Sequence, residues 1–451
     1  MILFRYISPF RCKFYRDGEI NLKKRNLLKS LALALSISLL APLANNVAAE
    51  VNTVPTIIGK SALTMDLETG EVIYSKNADV KNSIASTTKL LTGLLFAENK
   101  SKTDTIPFTE SAAAQDGGVT LGTYKKVNIG ETLTAEDIMK ALLIYSANDS
   151  AAMIADSVSG NMEAFVKLMN ERVASLGLEN TNFVNPNGLE SLDPNTQVTD
   201  NNYSTAYDLA VIGAEAFKND WVRETMSTAE ANSVINITGS SVQLESRNKL
   251  LGKDGNVGGK TGTEVLAGHC FVGFYERDGR KLVTVVLNSD YGADGMNVFN
   301  DTAAIANYSY SAEKEIYKTS GEEVGTADLE YKLFGFFGPT KTITAPIVLA
   351  QDVTYYKNDL NDKTANISYT SDNKSAWSVA GGKEVSLTFT TAGHTEEVKG
   401  TLKVSTIDLI KSNLPFYLAS ILIIVIIAVL IIFIIKIIKM KKRRSRRRNR
   451  Y

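Results

Sequence analysis

Ser86-Thr87-Thr88-Lys89-Leu90-Leu91-Thr92-Gly93-Leu94-Leu95 is the stretch of this 451-residue chain whose reading decides the rest. Its apolar spacing predicts a helix over Thr87–Ala97 with Ser86 at its start. Positions i and i+3 share a helix face, so the Lys89 side chain comes within reach of the Ser86 hydroxyl. The free N–H groups and positive dipole end at such a start suit a developing oxyanion. Taken alone, the pattern has a plainer explanation: a capping serine and a solvated lysine. The same spacing recurs at Ser246/Lys249, Ser311/Lys314 and Ser371/Lys374.

The scarcity of imidazole gives the pattern weight. The chain has only two histidines, His269 and His394, in different predicted domains. His269 opens a predicted strand and His394 sits in a glycine-flanked turn, so neither suits a Ser-His-Asp triad. No HExxH pattern or Cys/His cluster suits zinc, and no cofactor is expected. A nucleophilic serine would then need a lysine base, whose pKa must be lowered by burial or by a second cation.

Lys260-Thr261-Gly262-Thr263 supplies that second lysine, at a predicted glycine-flanked strand start. Ser146-Ala147-Asn148 ends a predicted apolar helix, where a hydroxyl can relay a proton and an amide can hold a carbonyl. Ser159-Gly160-Asn161 and Ser371-Asp372-Asn373 fit the middle element too, but Lys-Thr-Gly occurs once. Order excludes Ser371, which follows Lys260. The combination is specific where each part is weak.

Outward from these motifs, Ile58–Asp66 and Glu71–Ser75 alternate about Glu68-Thr69-Gly70 and predict a hairpin. Helices are expected at Thr87–Ala97, Ala135–Tyr145, Ala151–Val158, Met162–Leu176 and Ala303–Tyr317. A second hairpin is expected at His269–Glu276 and Lys281–Asn288. Strands at both ends with helices between predict one antiparallel sheet built from the two termini. Beyond Glu315, alternating Thr, Val, Ile and Lys in Tyr331–Phe337, Lys341–Ala345, Asn366–Tyr369 and Glu384–Thr391 predict a small all-β domain.

The ends address the chain to a membrane. Lys23, Lys24, Arg25 and Lys29 precede apolar Leu31–Leu43 and the small residues Val47-Ala48-Ala49, as in a secretory signal over residues 1–49. Leu414–Ile435 carries no charge and is long enough, at about 1.5 Å per residue, to cross a bilayer. Ten Lys or Arg follow in residues 436–451, which places that end inside and the body outside. The neutral total of 49 basic and 49 acidic residues hides an external part with 31 basic and 47 acidic. Such a body does not suit nucleic acid. Signal removal takes Cys12 and leaves Cys270 alone, so the core must hold the fold without an internal disulfide. Cys270 is expected to be a buried, inert thiol.

Together Ser86-Thr87-Thr88-Lys89, Ser146-Ala147-Asn148 and Lys260-Thr261-Gly262-Thr263 resemble the three motifs of penicillin-recognising serine enzymes. The finer resemblance is to low-molecular-weight penicillin-binding proteins, the serine-type D-alanyl-D-alanine carboxypeptidases. It includes Phe183-Val184-Asn185-Pro186-Asn187-Gly188-Leu189, Tyr203 to Ala210 and Arg247-Asn248-Lys249-Leu250-Leu251. It spans roughly residues 57–310.

The resemblance implies a mixed α/β (α+β) fold with a central antiparallel sheet, then the β domain and the membrane helix. The expected division is 1–49 signal, 50–315 catalytic, 316–408 all-β stalk, 409–435 transmembrane and 436–451 cytoplasmic. It implies Ser86 as nucleophile, Lys89 as its base and Ser146 as proton relay. Asn148, Lys260, Thr261, Gly262 and Thr263 would bind substrate, with the Ser86 and Thr263 N–H groups as oxyanion hole. The implied partners are peptidoglycan stem peptides and, as covalent inhibitors, β-lactams.

One departure concerns the substrate carboxylate. Relatives often carry an arginine after the strand matching Lys281–Asn288, yet no Lys or Arg lies between Lys281 and Lys314. Recognition would lean on Lys260, the threonines or Arg247. A transpeptidase, a β-lactamase-like hydrolase and a non-enzymatic wall-binding protein are the competing readings. The commonest β-lactamases also need a Glu-x-x-Leu-Asn loop, which is missing between Ser146 and Lys260.

Overall fold

Alternation of apolar side chains governs the sheet that carries the site. The structure is a computed structural model that describes residues 53–115, 118–191, 201–370 and 375–448. The expected signal segment, with Cys12, and residues 371–374 lie outside the described residues. Five antiparallel strands run in the order Val72–Lys76, Ser61–Asp66, Arg280–Ser289, Gly268–Arg277, Asn256–Glu264. The two ends of the segment meet, with Ser61 opposite Leu287 and Asp66 opposite Leu282. Asp278 and Gly279, at φ +50° and +82°, close the second expected hairpin, as Asp-Gly favours.

Successive strand side chains point to opposite faces. Leu63, Met65, Val283, Val285 and Leu287 join the large core beneath the helices, while Ala62, Leu282 and Val286 meet Val298, Phe299 and Ile305. Those last three lie on the helix Asn297–Ser311, and Ala206–Lys218 covers the other face. Burial on both sides explains why Ser61–Asp66 is inaccessible along its whole length.

Several expected boundaries move. The helix expected at Ala303–Tyr317 runs over Asn297–Ser311, because its buried stripe starts at Val298 and Phe299. Glu315–Lys318 is instead a strand, paired with Val353–Tyr355. Ala135–Tyr145 is not one regular helix: Ala135–Lys140 is α-helical and Ala141–Tyr145 widens into a π turn. Lys260 lies in the interior of Asn256–Glu264, not at a strand start.

The following segment has its own sheet, in the order Glu323–Lys332, Thr340–Leu349, His394–Leu402, Glu384–Thr391, Asn366–Ser368. Its core includes Leu329, Ile347, Leu387, Phe389 and Val398. The strand expected at Tyr331–Phe337 ends at Lys332, since Gly335 at φ +83° turns the chain. His394 begins a strand rather than sitting in a turn, and its Nδ1 lies 2.8 Å from the Thr69 carbonyl oxygen. The segment is not wholly β, because Asp359–Thr364, Ala376–Val379 and Thr406–Lys411 are short helices.

Polar contacts and two buried apolar residues, Leu360 and Ala392, join the two sheets. Asn358 and Asn361 donate side-chain amides to the Val72 carbonyl at 3.0 and 2.8 Å, and Leu360 enters the large core. A single long helix, Leu414–Arg448, ends the described chain and is apolar enough over its first part to be a candidate membrane span. It begins at Leu414 rather than at residue 409, because Leu409 is buried in the second core.

Candidate active site

Ser86 sits in a tight 3-10 turn, Ala85–Thr88, which leads into the helix Lys89–Asn99. Ala85 before it adopts φ +46°, an uncommon conformation for a residue with a Cβ, which sets the turn apart from the helix proper. The expected i, i+3 relationship holds: the Lys89 amine lies 2.7 Å from Ser86 Oγ. The same amine reaches Asn148 Oδ1 at 2.8 Å and the Asn187 carbonyl at 2.7 Å. Lys89 is fully buried. Burial lowers its pKa to about 7 against the opposing pull of Glu264 and Asp149. A lysine so placed is available as a neutral base near pH 7.

The second element is held in a strained conformation. The π turn Ala141–Tyr145 delivers Ser146 at φ +77°, and the Ala147 N–H closes it on the Ala141 carbonyl at 2.9 Å. A left-handed serine costs about 1–3 kcal/mol and persists only where its surroundings impose it. Here the Asn148 N–H is anchored to the Val119 carbonyl at 2.8 Å. Asp149 accepts from the Leu121 N–H at 2.8 Å, and burial raises its pKa to about 6.

The Lys260 strand completes the cleft. Lys260 donates to Ser146 Oγ at 2.9 Å and to the Thr261 carbonyl at 2.8 Å. Burial, then the charges of Lys89 and Arg247, hold it well below the ordinary lysine range. Gly262 passes so close to the serine turn that a Cβ there would lie 2.9 Å from the Ile84 carbonyl oxygen and 3.0 Å from the Ser86 nitrogen. Only glycine permits this approach, which brings Thr261 and Thr263 to the rim of the Ser86 cleft.

All eight residues singled out from the sequence converge. Ser86, Ser146, Asn148, Thr261, Gly262 and Thr263 line one cleft of about 360 Å³, and Lys89 and Lys260 donate into it from buried positions. Arg247, Lys249, Asp294 and Phe299 belong to its outer wall. The Arg247 guanidinium lies over the Tyr145 ring, 4.8 Å from its centre.

His269 also lines the cleft, but burial lowers its pKa to about 4, and it stacks on Tyr291 and meets Phe299 edge-on. Cys270 is fully buried and its thiol is pushed up to about 12.

Two participants escaped the sequence reading. Asn187 supplies the third acceptor for Lys89 through its backbone, which carries no side-chain signature. Gly188, at φ +86°, lies so near the serine turn that a Cβ would sit 1.9 Å from the Ala85 carbonyl oxygen. The Asn185-Pro186-Asn187-Gly188 turn stands out in the sequence only as part of the family resemblance. Its target lies more than 90 residues away in the chain.

Comparison with known proteins agrees with this geometry. A family model described as D-alanyl-D-alanine carboxypeptidase matches residues 48–291. The D-alanyl-D-alanine carboxypeptidase DacF of Bacillus subtilis is 31% identical over 236 residues, 51% of this chain and 57% of its own length. The D-alanyl-D-alanine endopeptidase of Escherichia coli K12 is 31% identical over 256 residues, 55% of this chain and 78% of its own. The chain thus spans little more than half of DacF.

Among solved structures, the D-alanyl-D-alanine carboxypeptidase of Mycobacterium tuberculosis H37Rv superposes with a TM-score of 0.52 at 25% identity, covering 58% of this chain and 94% of that one. A peptidoglycan synthesis regulatory factor (PBP3) of Streptococcus pneumoniae shares the fold, with a TM-score of 0.52 at 23% identity over 78% of this chain and 100% of its own.

Proposed function

The chain belongs to the D-alanyl-D-alanine carboxypeptidase family, and on that footing we propose that it removes the terminal D-alanine of peptidoglycan stem peptides through an acyl-enzyme on Ser86. The observation that carries this reading is the buried Lys89 amine, 2.7 Å from Ser86 Oγ and lowered to about 7. Neutral Lys89 takes the Ser86 proton as Oγ attacks the carbonyl between the two D-alanines. The N–H groups of Ser86 and Thr263 stabilise the oxyanion. Collapse breaks the amide bond, and the departing D-alanine nitrogen receives a proton through Ser146, which Lys260 assists. Water then attacks the ester, releasing the shortened peptide and restoring Ser86.

Asn148 holds Lys89 through its side-chain oxygen and lines the peptide-binding cleft. With no Lys or Arg between Lys281 and Lys314, the terminal carboxylate is met by Lys260, Thr261, Thr263 and Arg247. β-Lactams acylate Ser86 by the same attack. Residues 1–49 serve as an export signal, and the candidate span holds residues 50–315 outside the cell on the β-rich segment 316–408. The basic 436–451 tail stays inside.

Mass spectrometry of penicillin-treated protein tests this reading. The digest should place the adduct on the peptide bearing Ser86, and Ser86→Ala should abolish both the adduct and D-alanine release. An adduct elsewhere on a folded protein, or unchanged function in Ser86→Ala as a wall-binding role requires, would sink the proposal.

A further inference from the structure

The hairpin between Glu323–Lys332 and Thr340–Leu349 ends in Leu333-Phe334-Gly335-Phe336-Phe337-Gly338. Water-facing hairpin tips are ordinarily polar, yet Phe336 is 87% exposed and Phe337 54%. Among the described residues no large apolar side chain is more exposed than Phe336. The tip is nonetheless ordered: Phe334 stacks on Phe337, and Phe337 meets Phe336, each pair with centres 5.0 Å apart.

This tip is docked on the start of the long apolar helix. Tyr417, the fourth residue of that helix, donates its hydroxyl to the Leu333 carbonyl at 2.5 Å and sets its ring edge-on to Phe334. Asn413, just before the helix, donates to the Tyr331 hydroxyl at 2.6 Å. Leu333, Phe334, Trp377, Ile410, Leu414 and Tyr417 line an apolar hollow between hairpin and helix. The phenylalanines therefore stand level with the first turn of the candidate span. Lys341 lies beside them with its amine 4.3 Å from the Phe416 ring centre, and Lys332 and Lys411 are exposed nearby.

We propose that the Phe334–Phe337 tip is a second membrane contact, with Phe336 and Phe337 inserted among the phospholipids around the helix where it enters the outer leaflet. Continuity with the helix identifies the occupant. A side chain fixed to the first turn of a span cannot leave the interfacial layer when the span is in place. Aromatic side chains favour that layer, and flanking lysines reach lipid phosphates. The helix alone would tether the protein through one point. Two contacts fix the tilt of the β-rich segment and with it the height of the Ser86 cleft. The inference rests on the reading that Leu414–Ile435 crosses a bilayer.

The test uses the full chain in vesicles of phosphatidylcholine and phosphatidylglycerol carrying brominated acyl chains, which quench nearby indoles. Three variants are compared with the parent protein: F336W at the tip, V425W within the helix and V265W on the exposed surface of the catalytic segment. The indole introduced by F336W should shift its emission to the blue and be quenched, as should that of V425W. The V265W indole should be quenched by aqueous acrylamide instead. If V425W is quenched and F336W behaves like V265W, the tip contact is refuted while the anchor stands. If neither is quenched by lipid, both readings fall.

Discussion

The Asn187 carbonyl oxygen accepts from the Lys89 amine at 2.7 Å, across 98 residues of chain. This contact ties the base to the Asn185–Gly188 turn. Thr92 Oγ1 donates to the Pro186 carbonyl at 2.6 Å, which holds the same turn on the helix, and Asn202 Nδ2 donates to the Asn185 carbonyl and to Thr88 Oγ1 at 2.9 Å each, which bridges that turn to the serine turn. The base is thus positioned by backbone geometry as much as by its own side chain.

Gly188→Ala should damage catalysis more than stability. The added methyl would sit 1.9 Å from the Ala85 carbonyl oxygen, in a backbone conformation that disfavours any Cβ. Relief must move either the turn that holds Lys89 or the one that carries Ser86. Acylation by penicillin should slow on the order of 10²-fold, with a stability loss of about 1–3 kcal/mol. Stopped-flow acylation and thermal unfolding measure the two; wild-type acylation would refute the positioning role.

Acylation should rise with pH through about 7, the value to which burial lowers Lys89. Below it the amine is protonated and cannot accept the serine proton, so the rate should fall about tenfold per pH unit. Glu264→Gln removes a negative charge that favours protonation of Lys89, so the midpoint should move downward. A pH–rate profile with an unmoved midpoint would show that Glu264 does not act on Lys89.

Cys270 should resist thiol reagents in the folded protein. It is buried in the sheet, its thiol is pushed up to about 12, and the thiolate is the reactive form. Iodoacetamide should label it only on unfolding and leave penicillin acylation unchanged. Rapid labelling of the native enzyme would contradict the burial.

Asn361→Ala should loosen the join between the two sheets without touching the chemistry. The buried Asn361 amide donates to the Val72 and Tyr356 carbonyls at 2.8 and 2.7 Å. Asn358 Nδ2 still donates to both carbonyls, at 3.0 and 3.1 Å, so losing the Asn361 bonds should cost about 0.5–1.5 kcal/mol, seen as a lower unfolding temperature. The kcat on a soluble stem peptide should hold. An unchanged unfolding temperature would mean that the contact contributes nothing to stability.

Much of this protein was legible in one dimension. The motifs around Ser86, Ser146 and Lys260 were readable because each is local, and their order restricts how they can meet. Two hairpins and the helices near Thr87–Ala97, Ala151–Val158 and Met162–Leu176 followed from periodicity, since burial of one face imposes a repeat on the chain, whereas Ala206–Lys218 and Asp220–Met226 did not. The strand His394–Leu402 did not, because its buried Val398, Gly400 and Leu402 alternate with Thr, Glu and Lys and include a glycine. The helix Asn297–Ser311 starts earlier than its letters suggest for a related reason: alanines at 303, 304 and 306 favour helix more strongly than the residues that fill its core.

From its letters alone the chain marked which side chains are candidates for the chemistry, since a serine–lysine pair and a second lysine are matters of residue type and short spacing, and the resemblance proposed their roles. Tertiary structure alone decided that those lysines are neutralisable. Their pKa depends on how completely water is excluded and on how near a second cation comes, and both are set by contacts between residues remote in sequence. The same holds for Gly188 and Gly262, whose necessity appears only when another stretch of backbone lies within a methyl's width.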